Sequence, residues 1–78
     1  MPQFASVVNS VLLAIVNRNL LANDEIAGHL GQAKVIIDYA LDVLEARGLF
    51  KVAKTMGGGA HVHDVSVRAR RAASEIET

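Results

Sequence analysis

The sequence predicts a mainly helical domain that carries one small antiparallel β-hairpin. Three successive stretches place apolar residues at helical spacing, two short valine-containing segments bracket a run of three glycines, and an alanine- and arginine-rich segment follows them. A chain of 78 residues has room for one hydrophobic core, so we expect a single domain over residues 1–78. Because 51% of the residues are apolar, the composition excludes a disordered chain.

Composition also excludes several kinds of site and indicates where in the cell the protein is found. The chain has no cysteine, which excludes disulfide scaffolds, thiolate zinc sites and cysteine nucleophiles. The longest unbroken apolar run, residues 11–16, is far shorter than the roughly 20 residues that a membrane-spanning helix needs. The N-terminus lacks the basic flank and the cleavage site of a signal peptide. We therefore expect a cytoplasmic protein with no membrane partner.

The first predicted helix covers residues 3–19. One of its faces carries apolar residues at the i, i+3, i+4 and i+7 spacing, namely Phe4, Val8, Val11, Leu12 and Ile15. Its other sides carry further apolar residues, namely Val7, Leu13, Ala14 and Val16. A helix in so small a domain normally buries only one face, so this surplus predicts a surface for a partner.

Two further helices are predicted over residues 24–30 and 33–47. Asn23 stands where an N-cap residue accepts backbone N–H groups, and acidic residues follow it in the first turn. Gly31 ends the second helix and Gly48 is the expected C-cap of the third, because glycine takes the left-handed conformation without strain.

The remaining elements are a hairpin over residues 49–67 and a last helix over residues 67–76. Two valine-containing segments flank the glycines at 57–59, which predicts a two-stranded ribbon with a flexible tip. Ser66 is the expected N-cap of the last helix, whose alanines and arginines are good helix formers.

Three motifs occur in an order that is typical of one family. Residues 25–31 read EIAGHLG, residues 37–49 fit the pattern I-x-x-x-L-x-x-L-x-x-x-G-L, and residues 64–71 read DVSVRARR. These resemble, respectively, the second helix and turn, the recognition helix with its exit into the wing, and the strand-to-helix step of winged helix-turn-helix domains. The resemblance covers about residues 8–76. It implies three helices, a two-stranded wing and a C-terminal helix, with double-stranded DNA as the partner.

The resemblance places base-reading positions at the start of the third helix, where this chain has Gln32, Lys34 and Val35. Three acidic residues on the same helix, Asp38, Asp42 and Glu45, look like one solvated face and disfavour phosphate contact. Residues 1–46 carry two basic against five acidic residues, and residues 47–78 carry six against three. DNA contact is therefore expected mainly from the wing and its surroundings, at Lys51, Lys54, His61, His63, Arg68, Arg70 and Arg71.

The resulting expectation is a small transcriptional regulator that binds DNA as a homodimer, so that two weak modules add over two half-sites. The alternative is a winged-helix protein–protein interaction module that binds no DNA. In both cases a dimer or partner interface is expected on the first and third helices, at Val7, Val11, Ala14, Ile36, Tyr39 and Val43.

Other chemistry has little support. No serine or threonine lies in a nucleophile motif, so we expect no enzyme and no catalytic residue. His61 and His63, together with His29 or Asp64, are a sparse basis for a zinc site. Two histidines on a polar ribbon are more often exposed residues or phosphate contacts, so no metal and no cofactor are expected.

Overall fold

Four helices and one hairpin form in the part of the chain that the structure describes. The computed structural model describes residues 2–77, with side chains from residue 4 to residue 76. Its elements in chain order are α1 (Pro2–Arg18), α2 (Asn23–Leu30), α3 (Lys34–Ala46), β1 (Lys51–Lys54), β2 (Ala60–His63) and α4 (Val67–Glu77). The predicted mainly helical class with one antiparallel hairpin is confirmed, and each helix ends within one residue of its expected position.

Helix α1 lies at the centre of the packing, in contact with α2, α3 and α4. The predicted partner positions Val11 and Ala14 are only 0% and 3% exposed and belong to the hydrophobic core. Val7 is half-buried and packs against the same core. The expectation of a partner interface at Val11 and Ala14 is therefore wrong. Three helices cover α1 from different sides, so apolar residues around most of its circumference are buried within one chain.

Helix α3 buries one face against this core. Ile37, Leu41 and Leu44 are buried as their spacing predicts, and Ala40 joins them. Of the predicted interface positions on this helix, Val43 is half-buried and packs against the core. Its position on the flank of the core explains why it is only partly available to a partner.

The hairpin has a regular antiparallel register and a tight turn. Lys51 pairs with His63, and Val52 pairs with Val62. At the tip the N–H of Gly58 donates to the carbonyl of Thr55 over 3.2 Å. Gly58 has a φ of 85°, which is the left-handed glycine expected after a type I turn in a three-residue hairpin loop.

The second strand of the hairpin also binds the loop between α1 and α2. The N–H of Val62 donates to the carbonyl of Leu21 over 2.7 Å. An isolated antiparallel bridge pairs Ala22 with His61. The ribbon is therefore held on its β2 edge by backbone from the first half of the chain.

The helix ends confirm two predicted caps and correct two others. Gly31 has a φ of 65° at the end of α2, and the Ser66 Oγ accepts from the N–H of Ala69 over 3.3 Å at the start of α4. The cap residue of α3 is Arg47, and Gly48 follows it with a φ of 78°. The bonds from Gly48 N–H to the Glu45 carbonyl and from Leu49 N–H to the Leu44 carbonyl form the Schellman arrangement of a helix end.

Asn23 is not an N-cap. Ala22 takes the cap position of α2 without a side-chain hydrogen bond, and Asn23 is the first helical residue. The Asn23 side chain is 1% exposed. Its amide bonds to α3 and to the hairpin, and these tertiary contacts prevail over the local capping preference.

Candidate nucleic-acid interface

The hairpin lies along one side of α3 and is fastened there by acidic side chains. Glu45 Oε2 accepts the N–H of Val52 over 2.8 Å, which satisfies a backbone donor on the outer edge of β1. Asp42 Oδ1 lies 3.2 Å from the Lys54 Nζ. We call the stripe of Asp38, Asp42 and Glu45 with its partners the α3–hairpin seam.

The same seam holds the tip of the hairpin. The Asn23 Nδ2 donates to Asp38 Oδ1 over 2.9 Å and to the carbonyl of Gly58 over 3.1 Å. One buried amide thus ties the start of α2, the middle of α3 and the glycine tip together. Lys34 Nζ lies 3.6 Å from the position that a Cβ on Gly58 would occupy, so an ammonium group stands beside the tip.

The seam changes how the acidic residues of α3 are interpreted. Their spacing of i, i+4 and i+7 puts them on one helix face, as the sequence indicates. That face is turned to the hairpin, and each carboxylate has a partner there or in α2. The expected acidic face is therefore only partly solvated: the Asp42 side chain is 50% exposed, while Asp38 and Glu45 are half-buried against their partners.

Most cationic side chains are exposed and form no ion pair with another described side chain. Among the described side chains the ion pairs are Lys54–Asp42 and His63–Asp64. The other lysines and arginines are all exposed, namely Arg18, Lys34, Arg47, Lys51, Arg68, Arg70 and Arg71. The acids of α3 are thus used inside the fold, while seven cations remain available to an external anion.

The predicted wing residues do not share one face. The cross-strand pair of Lys51 and His63 lies on the exposed face of the ribbon, as does His61. Lys54 lies on the opposite face, where it reaches Asp42. Strand alternation carries this signal, because positions 51 and 54 are an odd number of residues apart and so point to opposite sides.

The outward side of α3 is largely apolar. Val35 and Tyr39 are 58% and 62% exposed, while Ile36 is half-buried. Gln32 and Lys34 are exposed at the start of the helix. The predicted partner position Tyr39 is therefore accessible, and Val35, which was predicted to contact DNA, forms an apolar patch with it.

The arginines after the hairpin separate into two places. Arg68 Nη1 lies 3.4 Å from the position that a Cβ on Gly48 would occupy, and Arg68 lines a groove that Arg47 also lines. Arg70 and Arg71 are exposed elsewhere on α4. The sequence predicted Arg68, Arg70 and Arg71 as one cluster and did not single out Arg47, since no local pattern joins the end of α3 to the start of α4.

Three further observations bear on the class of protein. No described group of three or more histidines, cysteines, aspartates or glutamates is close enough to hold a metal ion. Within residues 2–77, every helix is too short or too polar to cross a membrane. No protein-family model, curated protein sequence or solved structure matches this chain. The class of the domain is therefore described by its fold, which in the described residues is four helices with a hairpin packed along α3.

Proposed function

We propose that this domain binds double-stranded DNA as a winged-helix module, mainly through phosphate contacts. The proposal depends on a difference between the acidic and the basic side chains. The acids of α3 are engaged in the α3–hairpin seam, whereas seven lysines and arginines are exposed without an ion-pair partner in the described part of the chain. Exposed, unpaired cations are the groups that displace counterions from a phosphate backbone.

The positions of these cations support contact through the hairpin. Lys34 stands beside the glycine tip, and Lys51 lies on the exposed face of the ribbon together with His61 and His63. Three consecutive glycines let the backbone of the tip approach a phosphate or a groove closely. Because the Asn23 amide holds the carbonyl of Gly58, the tip is ordered before binding.

Base reading has a smaller share in this proposal. The outward side of α3 offers Gln32 and Lys34 at its start, followed by the apolar Val35 and Tyr39. Since few donors and acceptors face outward, one domain discriminates weakly between sequences. A homodimer that adds two such modules over two half-sites is the arrangement we propose for a transcriptional regulator.

Fluorescence anisotropy of a labelled generic duplex at two salt concentrations tests this function. We expect saturable binding that weakens steeply with salt, since each phosphate contact contributes about −0.9 to the slope of log K against log salt. Lys34→Ala combined with Lys51→Ala should reduce affinity for all sequences and lower the slope by about 2. Arg18→Ala is the single-charge control, because Arg18 is an exposed cation that lines a different surface groove, with His29 and Leu30. Absence of binding at low salt, or equal loss in the control, would contradict the proposal.

One observation favours a second candidate function, a protein–protein interaction module. Val35 and Tyr39 form an exposed apolar patch on α3, and Asp42 beside it supplies a polar rim. Val35→Ser combined with Tyr39→Ser should then abolish association, measured by light scattering for self-association and by pull-down for a different partner. DNA affinity unchanged in the same variant would separate this function from the first.

A further inference from the structure

A groove unrelated to the α3–hairpin seam opens where α1, the end of α3 and α4 meet. Its volume is about 460 Å³, within the range of roughly 300–1,000 Å³ that small-molecule sites occupy. It is lined by Asn9, Leu12, Leu44, Arg47, Leu49, Arg68, Ala72, Glu75 and Ile76.

The floor of the groove is apolar and built from the core. Leu12, Leu44 and Leu49 lie beneath it and are only 2%, 1% and 6% exposed, so its accessible apolar surface comes mainly from Ala72 and Ile76. Helix α4 contributes one face, with Ala72 between Arg68 and Ile76 at successive turns. Eight residues separate these two ends, so the groove extends for about 12 Å along the helix.

One end of the groove is cationic. Arg68 places its Nη1 3.4 Å from the position that a Cβ on Gly48 would occupy, and Arg47, which precedes Gly48 in the chain, also lines the groove. Neither arginine forms an ion pair with a described residue. Glu75 lies two turns along α4, at the other end of the same face. The cationic end of the groove is therefore the one formed by Arg47 and Arg68, and Glu75 follows Arg68 by about 10 Å along the helix.

We infer that this groove binds a small amphipathic carboxylate, a compound with an apolar chain and one ionised end. The carboxylate lies against Arg47 and Arg68, since a guanidinium group binds carboxylate oxygens through paired N–H donors. The chain lies along Ala72 and Ile76 and removes their accessible apolar surface from water.

Titration of the intact chain with octanoate, followed by amide chemical shifts in the absence of DNA, tests this inference. We expect saturable shifts confined to residues 47–49 and 68–76. Two controls should each bind at least about tenfold more weakly than octanoate. Octanol has the same chain without the charge, and butyrate has the charge with a short chain. Arg68→Ala should weaken octanoate binding about tenfold and leave octanol binding unchanged.

Two variants keep the test decisive. Ala72→Phe fills the groove while retaining both arginines, and it should block octanoate. Arg18→Ala removes a cation elsewhere and should have no effect on octanoate affinity. The inference is overturned if octanol binds as tightly as octanoate, if Arg68→Ala binds normally, or if the shifts map to another surface. Because no DNA is present, this result is independent of the proposed function.

Discussion

Helices α1 and α3 have similarly apolar sequences but differ in what covers them. Apolar residues surround most of α1, and almost all of that surface is buried or packed against the core because α2, α3 and α4 lie against it. On α3 one face enters the core, a second is fastened to the hairpin, and the outward side leaves Val35 and Tyr39 exposed. An apolar surplus therefore indicates a partner surface only on a helix that lacks enough neighbours within its own chain.

The largest expected effect on stability comes from a cavity-forming substitution in the buried part of α1. Ile15→Ala removes buried methyl and methylene groups where α1 is enclosed, so we expect a loss of about 2–5 kcal/mol in the free energy of unfolding. Denaturant unfolding monitored by circular dichroism measures it. A loss below about 1 kcal/mol would mean that α1 is less enclosed than the structure shows.

A smaller effect is expected from releasing the hairpin tip. Asn23→Ala leaves the carbonyl of Gly58 and the carboxylate of Asp38 without their amide donor, so we expect a loss of about 1–3 kcal/mol. Amide hydrogen exchange should accelerate at residues 57–59 while α1 stays protected. Asn23→Asp should be more damaging than Asn23→Ala, because it places a second carboxylate beside Asp38. Equal protection of the tip in all three proteins would contradict the role assigned to Asn23.

The ion pair of the α3–hairpin seam should contribute less. The side chains of Lys54 and Asp42 are 61% and 50% exposed, respectively. Solvent screening therefore limits the expected loss for Lys54→Ala to about 0.2–1 kcal/mol, and the loss should shrink as salt is added. A double-mutant cycle with Asp42→Ala isolates the pair. A coupling energy that is independent of salt would mean that the contact is more buried than described.

The smallest effect on stability is expected on the outward side of α3. Tyr39→Ser changes an exposed side chain with little core contact, so the free energy of unfolding should move by no more than about 0.5 kcal/mol. Thermal unfolding at low protein concentration measures this. A large loss would place Tyr39 in the core and remove the patch from consideration as an interface.

The order and approximate bounds of the elements were predictable because they depend on neighbours in sequence. The apolar spacing of Ile37, Leu41 and Leu44 specifies a buried helix face, and the glycines at 57–59 specify a turn. Gly31 and Ser66 likewise act within one turn of chain. Most of the fold class therefore followed from local patterns.

The candidate site was only partly predictable. Lys51, His61 and His63 were expected on a wing, and they do share the exposed face of the hairpin. Three contacts were not predicted. They are the ion pair of Lys54 with Asp42, the hydrogen bonds of Asp38 and Glu45 to other elements, and the approach of Arg68 to Gly48 at the end of α3. Each of these contacts joins two different elements, and the residue types alone fit either a solvated surface or a tertiary contact.

Local sequence determined where helices, strands and turns form, because hydrogen bonding and apolar periodicity act over a few residues. Tertiary structure decided which faces are covered, since the same apolar or acidic stripe is buried or exposed according to what packs beside it. Asn23 shows the difference most directly. Its sequence context favours a cap, but a buried amide is stable only where its donors are satisfied, and the acceptors at Asp38 and Gly58 come from residues 15 and 35 positions away.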